Sequence, residues 1–471
     1  MAVYPAAAAF LLLWLWLSAR NADNGILMAI AVIPFGMFAA LVAGGLSMII
    51  ANLLAILSIS LLILRRITYA PGPADFRLPP SGVYLLVFAL YSAFSGIVLV
   101  RLFEGQFLVF PMTVTNKGPQ VSNFFSSVML PLRPTNSNIA QSVYILLSFA
   151  FFLATVSVAR RRGAEFIEKG LVWAASLNVV LGFFDFLGAD AILSPIRTAD
   201  YSLLNEHLVG PFSRVIGGYA EASAFGAASA AFFTYFLMSY LIVRKKGHGI
   251  LAAANFLGAL LAMSSTGVAA LATGVFFVIL HFRVFLGFSM SRGFGHFLVI
   301  GVSFLALTIS TLLLAPFVMD SVVDVLDSLI FSKQDSLSGQ ERGAWAAAGF
   351  DTFFLTWGFG AGVGSLRGNG IASVLLGSVG FPGTIAFLMF VFSAIGLPPV
   401  GADRSTLRLF CAGRVCAMTL LTAMLVSATT PDPTLLLMAV SGLCVVAREQ
   451  VFEGYTTETL AASAERFSNR I

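Results

Sequence analysis

The sequence predicts an all-α membrane protein, a polytopic bundle of 12 or 13 transmembrane helices. The chain is 58% hydrophobic and only 10% charged. A bilayer core takes about 20 apolar residues per helical crossing, and unpaired backbone cannot face lipid. Thirteen apolar stretches have this character. They lie near 6–18, 26–43, 46–64, 82–101, 141–159, 169–188, 217–243, 249–263, 265–282, 296–317, 371–396, 411–428 and 433–447.

Basic residues cluster after the odd-numbered stretches, for example at 160–162 and 244–246. Because basic loops stay in the cytoplasm, 19 of the 27 Lys and Arg residues are assigned to that side and 8 to the outside. The net charge of +5 then follows from topology and does not indicate a nucleic-acid surface. The first stretch is short, and only Gly44-Gly45 separates the next two. Twelve crossings with a cytoplasmic N-terminus is therefore an alternative.

One transmembrane domain, 1–471, accounts for the whole chain, with large outward loops at about 102–140, 189–216 and 318–370. The first loop is rich in Pro, Asn, Ser and Thr, and its residues indicate no particular chemistry. The other two loops carry the candidate functional residues.

The loop 189–216 ends at Arg214, and Gly217-Gly218 then precedes a helix of small residues with Glu221 in its first turn. A carboxylate there is favoured by the helix dipole, but an ionisable group at a membrane boundary is also often functional. Arg214 is either an interfacial residue that reaches toward water or an anion ligand, and the surrounding pattern favours the ligand.

The loop 318–370 contains a second candidate anion site. Ser338 and Glu341 form a capping-box pattern, which predicts a helix start with Arg342 in the first turn. A helix N-terminus together with an arginine binds anions well. Small residues, Ala346 and Gly349, share the face of Arg342 and are expected to leave room for a bulky ligand.

A glycine-rich turn follows this helix and leads to Arg367. Its four alternating glycines, from Gly358 to Gly364, predict either a nest of backbone amides for an anion or a re-entry into the membrane. The pattern alone favours the re-entry. Arg367 is a third cationic candidate, or equally an ordinary interfacial arginine.

The missing motifs narrow the predicted chemistry. The chain has no His-Glu-x-x-His and no cysteine–histidine cluster, and of its four histidines only His207 falls in an outward loop. These features predict a mechanism without a metal, and the lack of a Gly-x-Ser-x-Gly elbow argues against a serine hydrolase. Arginines suit a diphosphate leaving group, and a carboxylate or histidine suits a general base.

Residues 211–229, and 338–364 together with Gly380-Phe-Pro-Gly383, resemble the signatures of the O-antigen ligase and O-antigen polymerase superfamily. The resemblance implies a GT-C-like fold and a cofactor-free glycosyltransferase. Such an enzyme takes a glycan from undecaprenyl diphosphate at the periplasmic face of the bacterial inner membrane. The two arginines of the family, which bind the carrier diphosphate, correspond to Arg214 and Arg342.

The resemblance also separates two reactions. Ligases pass the glycan to a lipid A core and use a histidine shortly after the glycine-rich turn, where this chain has Asn369. Polymerases pass it to another carrier-linked repeat unit, so the sequence favours a polymerase of exopolysaccharide, capsule or O-antigen. Glu221 is the first candidate for the base and His207 the second, with Arg367 as a further diphosphate ligand.

The partners implied are an undecaprenyl-diphosphate-linked glycan and the lipid bilayer, with a chain-length regulator and export machinery as further candidates. Nucleic acid is not expected. Two alternatives stay open. One is a ligase of the same fold that uses a lipid or protein acceptor, and the other is a secondary transporter or lipid-carrier flippase.

Overall fold

The computed structural model describes residues 2–43, 46–68, 77–112, 128–199, 208–209, 212–282, 337–396 and 402–468. Within these ranges, seven helices are long and apolar enough to cross a membrane, as expected for a multi-pass membrane protein. They are α3 (Ile50–Thr68), α4 (Pro80–Leu102), α5 (Asn136–Arg162), α6 (Ala164–Phe186), α7 (Ala222–Val243), α11 (Ile371–Ile395) and α12 (Arg404–Ser427). The other main helices are α1 (Ala6–Arg20), α2 (Asp23–Ala31), α8 (Lys246–Leu261), α9 (Ser265–Leu280), α10 (Leu337–Leu355) and α13 (Leu435–Ser468).

The prediction of continuous helices over 26–43 and 46–64 is wrong where these two stretches meet. Helix α2 ends at Ala31, and strands β2 (Ala39–Ala43) and β3 (Leu46–Ile49) form an antiparallel hairpin that is joined by β1 (Ala2–Val3). Pro34 helps to end the helix, since proline lacks an N–H and disfavours helix in the residue before it. The strands then pair with one another, which satisfies their backbone groups. The predicted crossing 296–317 lies outside the described residues.

Two other short hairpins lie in the loops that the sequence predicts to face outward. Strand β4 (Leu108–Val109) pairs with β5 (Leu130–Pro131), and β6 (Leu208–Val209) pairs with β7 (Phe212–Ser213). A helical turn, Asp190–Leu193, and a 3₁₀ turn, Ser194–Ile196, follow α6. The all-α prediction therefore holds for the membrane helices and fails for these connections.

The basic clusters of the described helices gather at one end of the bundle, here called the basic end. At this end Arg160 pairs with Glu449 at 2.6 Å, Arg161 pairs with Asp23 at 2.7 Å, and Arg404 donates to the Ile242 carbonyl at 2.7 Å. These contacts join helix ends that the alternating topology assigns to the same side. Helices α7 and α11 begin at the opposite end, here called the site end, and α8 ends there.

The basic end also holds a buried ion pair between helices. Arg408 of α12 donates to both carboxylate oxygens of Glu168 in α6, and the two side chains are 7% and 10% exposed. Tyr235 of α7 donates to the same carboxylate at 3.2 Å. A buried arginine requires such a partner, so this cluster ties three helices together at the end away from the candidate site.

Helix α7 lies at the centre of the bundle. It packs against α8, α9 and α12. In its 18-residue apolar stretch 83% is buried, a larger share than in any other of the seven long helices. Small residues on α7 allow close approach, as where Gly226 meets Gly267 of α9. The N-terminus of this central helix carries Glu221, so the candidate site rests on a firmly packed element.

Candidate functional site

The structure brings Glu221, Arg214 and Arg342 together at the site end, although 121 positions separate Glu221 from Arg342. Oε2 of Glu221 lies 3.9 Å from Nη2 of Arg342. Burial lowers the pKa of Arg214, and the neighbouring positive charge of Arg342 lowers it further, while Glu221 opposes the shift. The three side chains therefore share one electrostatic environment.

Glu221 is the N-cap of α7, whereas the sequence predicted that it would lie in the first turn of the helix. Its backbone is extended, with φ −138° and ψ 148°, and its carboxylate does not cap the backbone of the helix. Oε2 instead accepts a hydrogen bond from the Ser223 hydroxyl at 2.9 Å and faces Arg342. The carboxylate therefore points toward the arginines, and the side chain is 35% exposed, which leaves it accessible to a reactant.

Arg214 lies in an irregular segment that is fastened to the end of α8. The Val215 N–H donates to the Leu261 carbonyl at 3.1 Å, and Nε of Arg214 approaches the Ala262 carbonyl at 3.5 Å. The contact of Arg214 at 3.5 Å is a weak hydrogen bond. The segment is thus fixed through its backbone, and the guanidinium is near enough to Arg342 and Glu221 to interact with their charges.

Asp185 and Arg197 hold the backbone between Arg214 and Glu221, and the sequence analysis did not identify them as part of the site. Oδ2 of Asp185 accepts from the Ile216 N–H at 2.6 Å and the Gly217 N–H at 3.0 Å. Its other carboxylate oxygen accepts from Arg197. The only signal available in the sequence was an acidic residue within an apolar stretch, and such residues are expensive unless they are paired.

Arg342 lies in the second turn of the described part of α10, which begins at Leu337. The sequence predicted a start at Ser338 with Arg342 in the first turn, so Arg342 lies slightly further into the helix than predicted. The prediction that Gly349 leaves room for a ligand is wrong, because a Cβ there would lie 2.8 Å from the Ser373 carbonyl oxygen of α11. This glycine instead lets two helices pack closely.

Arg367 belongs to the same polar cluster but is held by other contacts. Its guanidinium donates to the Met112 carbonyl at 2.9 Å and lies 5.1 Å from the centre of the Trp345 ring. Burial lowers its pKa, and the carboxylates of Glu341 and Glu221 oppose that shift. Arg367 therefore contributes positive charge near Glu221 from a fixed position.

The glycine-rich turn does not form an anion nest, because its amides are directed into the protein. Its glycines have positive φ from 78° to 101°, and the turn packs against α4, α5 and the break in α11 at Gly380. The acceptors are side chains and carbonyls, namely Thr356 Oγ1 for Gly360, Gly377 for Ala361, Ser378 for Gly362 and Ser95 Oγ for Val363. The turn is a packing element that positions α10 and Arg367 on either side of it.

His207, the second candidate for the base, lies outside the described residues. The described candidates are three arginines and one carboxylate, Glu221. Two guanidiniums brought together at the end of a membrane bundle repel each other, and a dianionic group between them would relieve that repulsion while making charge-assisted hydrogen bonds. The arrangement is therefore suited to an anion with a neighbouring carboxylate base.

Comparison with protein-family models gives no match to this chain. Comparison with curated proteins gives none at a significant level.

Proposed function

We propose that this protein is a membrane glycosyltransferase that polymerises undecaprenyl-diphosphate-linked repeat units. The product is an exopolysaccharide, capsule or O-antigen. The observation that carries the proposal is the meeting of Arg214, Arg342 and Glu221 in one polar cluster beside the start of α7. The arginines there can bind a diphosphate, and the carboxylate can accept a proton from the same substrate complex.

The reaction assigns a separate task to each charge. A hydroxyl oxygen of the acceptor glycan attacks the anomeric carbon of the donor, and the bond from that carbon to the diphosphate oxygen breaks. The proton of the hydroxyl passes to the Glu221 carboxylate, and the leaving diphosphate gains charge that Arg214, Arg342 and Arg367 stabilise. Electrostatic stabilisation of developing charge is the largest contribution in many enzymes.

The geometry also agrees with a carrier that stays in the bilayer. The cluster lies at the site end of the helices, where a diphosphate headgroup would sit while its polyprenyl tail remains among apolar side chains. We assign this end to the periplasmic face of a bacterial inner membrane, since the basic clusters at the other end favour the cytoplasm. A chain-length regulator and export machinery would act on the product.

Incubation of the purified full-length protein with a carrier-linked oligosaccharide, in the presence of EDTA, tests the proposal. We expect longer glycan chains and free undecaprenyl diphosphate, and neither with Arg214→Ala. A ligase of the same fold would give product only after a separate lipid or protein acceptor is added. A reaction that occurs only when Mg²⁺ or Mn²⁺ replaces the EDTA would contradict the metal-independent mechanism.

A lipid-carrier flippase or secondary transporter is the second candidate, and the break in α11 favours it. Gly380 has φ 59° and ψ −161° within this helix, and Pro382 follows. Broken helices are typical of transporters. In the same experiment with liposomes, a transporter would move the carrier-linked oligosaccharide across the bilayer without changing its length.

A further inference from the structure

We propose that Asp185 and Arg197 are positioning residues that set how the segment 214–221 presents Arg214 and Glu221 to the diphosphate. This inference rests on the proposed function, because it concerns the same site. The two side chains form a salt bridge and are 12% and 16% exposed, so they are largely shielded from solvent.

Asp185 lies at a position in its helix where its charge needs stabilising partners. It lies in the last turn of α6 (Ala164–Phe186), where the helix dipole disfavours a negative charge. Its carboxylate is compensated by two backbone amides, those of Ile216 and Gly217, and by Arg197. Hydrogen bonds to a charged group are stronger than neutral ones, so the carboxylate fixes two consecutive peptide groups.

Arg197 fixes the next peptide group along the chain. Nε and Nη2 of Arg197 donate to the Gly217 carbonyl at 3.1 and 2.6 Å. The amide and the carbonyl of Gly217 are therefore both held by one ion pair. Gly217 has φ +56°, and a Cβ there would lie 2.9 Å from the Phe225 ring, so the segment has little freedom to shift.

The fixed backbone around Gly217 lies between the two functional side chains. Gly217 follows Arg214 by three positions and precedes Glu221 by four, and the Gly218 carbonyl accepts from the Met37 N–H at 2.8 Å. Loss of the Asp185 charge would weaken its hydrogen bonds to the two amides and leave Arg197 without its main anionic partner. Arg214 and Glu221 would keep their charges and lose their fixed separation from Arg342.

Asp185→Asn in the full-length protein in lipid nanodiscs tests this role with inorganic pyrophosphate as the probe. We expect its Kd to rise about tenfold, equivalent to about 1.4 kcal/mol. Asp190→Asn is the matched control, because Asp190 also faces Arg197, at 4.0 Å, but is 86% exposed. It should bind pyrophosphate like the wild type.

A distance measurement judges the positioning role separately from anion binding. Spin labels are placed on Ser213→Cys and Gly343→Cys, which are both exposed positions. Double electron–electron resonance between the labels then measures the separation of the two arginine-bearing segments. Asp185→Asn should broaden this distance distribution, and labels on Gly247→Cys and Asp403→Cys at the basic end should report no change. A merely destabilised bundle would broaden both.

Arg197→Lys is the second variant, since lysine keeps the charge but cannot reproduce the guanidinium fork. It should give the same two effects as Asp185→Asn, so that poor folding of one variant leaves the other to decide. Wild-type distances and wild-type pyrophosphate affinity in either well-folded variant would overturn the inference. A wild-type protein that does not bind pyrophosphate would instead contradict the proposed function, and the distance distributions would still decide the positioning role.

Discussion

Replacing Glu221 by glutamine should change anion binding and catalysis in opposite directions. The 3.9 Å separation from Arg342 corresponds to about 1 kcal/mol in water and about 4 kcal/mol at an effective dielectric constant of about 20. The side chains of Arg342 and Glu221 are 27% and 35% exposed, so solvent screening favours the lower value. Glu221→Gln releases Arg342 from this pair, and pyrophosphate affinity should rise about fivefold.

The same variant removes the proposed proton acceptor. Loss of a general base costs about 10²- to 10⁴-fold in rate, so polymer formation should fall by that factor while pyrophosphate binds more tightly. The measurements are calorimetric titration with pyrophosphate and the initial rate of chain extension on a carrier-linked oligosaccharide. Glu104→Gln, an exposed carboxylate next to the end of α4, is the charge control and should change neither. A rate near that of the wild type, or weaker binding together with a lower rate, would refute the reasoning.

Three further predictions concern the arginine clamp, the glycine-rich turn and the topology. Arg342→Lys should abolish polymer formation almost as fully as Arg342→Ala, because lysine keeps the charge but loses bidentate geometry; full polymer length with lysine would contradict this. Gly364→Ala should lower the thermal unfolding midpoint, since a Cβ would lie 2.6 Å from the Ser137 carbonyl carbon at φ +78°, at a cost of about 1–3 kcal/mol or more. Gly247→Ala, with open space around it, is the matched control and should not lower the midpoint. Ser213→Cys should react with an impermeant thiol reagent added from the periplasmic side, and protection there with labelling from the cytoplasm would reverse the orientation.

The helices and their alternation could be predicted because hydropathy and charge are local properties of the sequence. Arg160 and Arg404 belong to different predicted loops, yet the structure places both at the basic end. The hairpin 39–49 was missed because hydropathy is local and does not report strand pairing. Its residues are as apolar as a transmembrane helix, and the strand pairing that replaces the helix depends on partners in space.

The charged residues of the candidate site could be predicted from the sequence, but the contacts that hold them in place could not. Arg214, Glu221 and Arg342 stand out because charged residues are rare near membrane segments, and the structure brings them together. Nothing local shows that Gly349 packs against α11. Nor does the sequence show that Asp185 would face the peptide at Gly217, since these contacts depend on the packing of separate helices.

A double-mutant cycle on Arg214 and Arg342 tests the central claim most directly, because that claim requires both guanidiniums to grip one diphosphate. The measurement is the Kd for pyrophosphate of the wild type, Arg214→Ala, Arg342→Ala and the double variant in nanodiscs. Residues that share a partner show coupling energies of about 0.5–3 kcal/mol, so the double variant should bind distinctly more tightly than the two single losses predict together. Strictly additive losses, or unchanged affinity in either single variant, would contradict a shared diphosphate site.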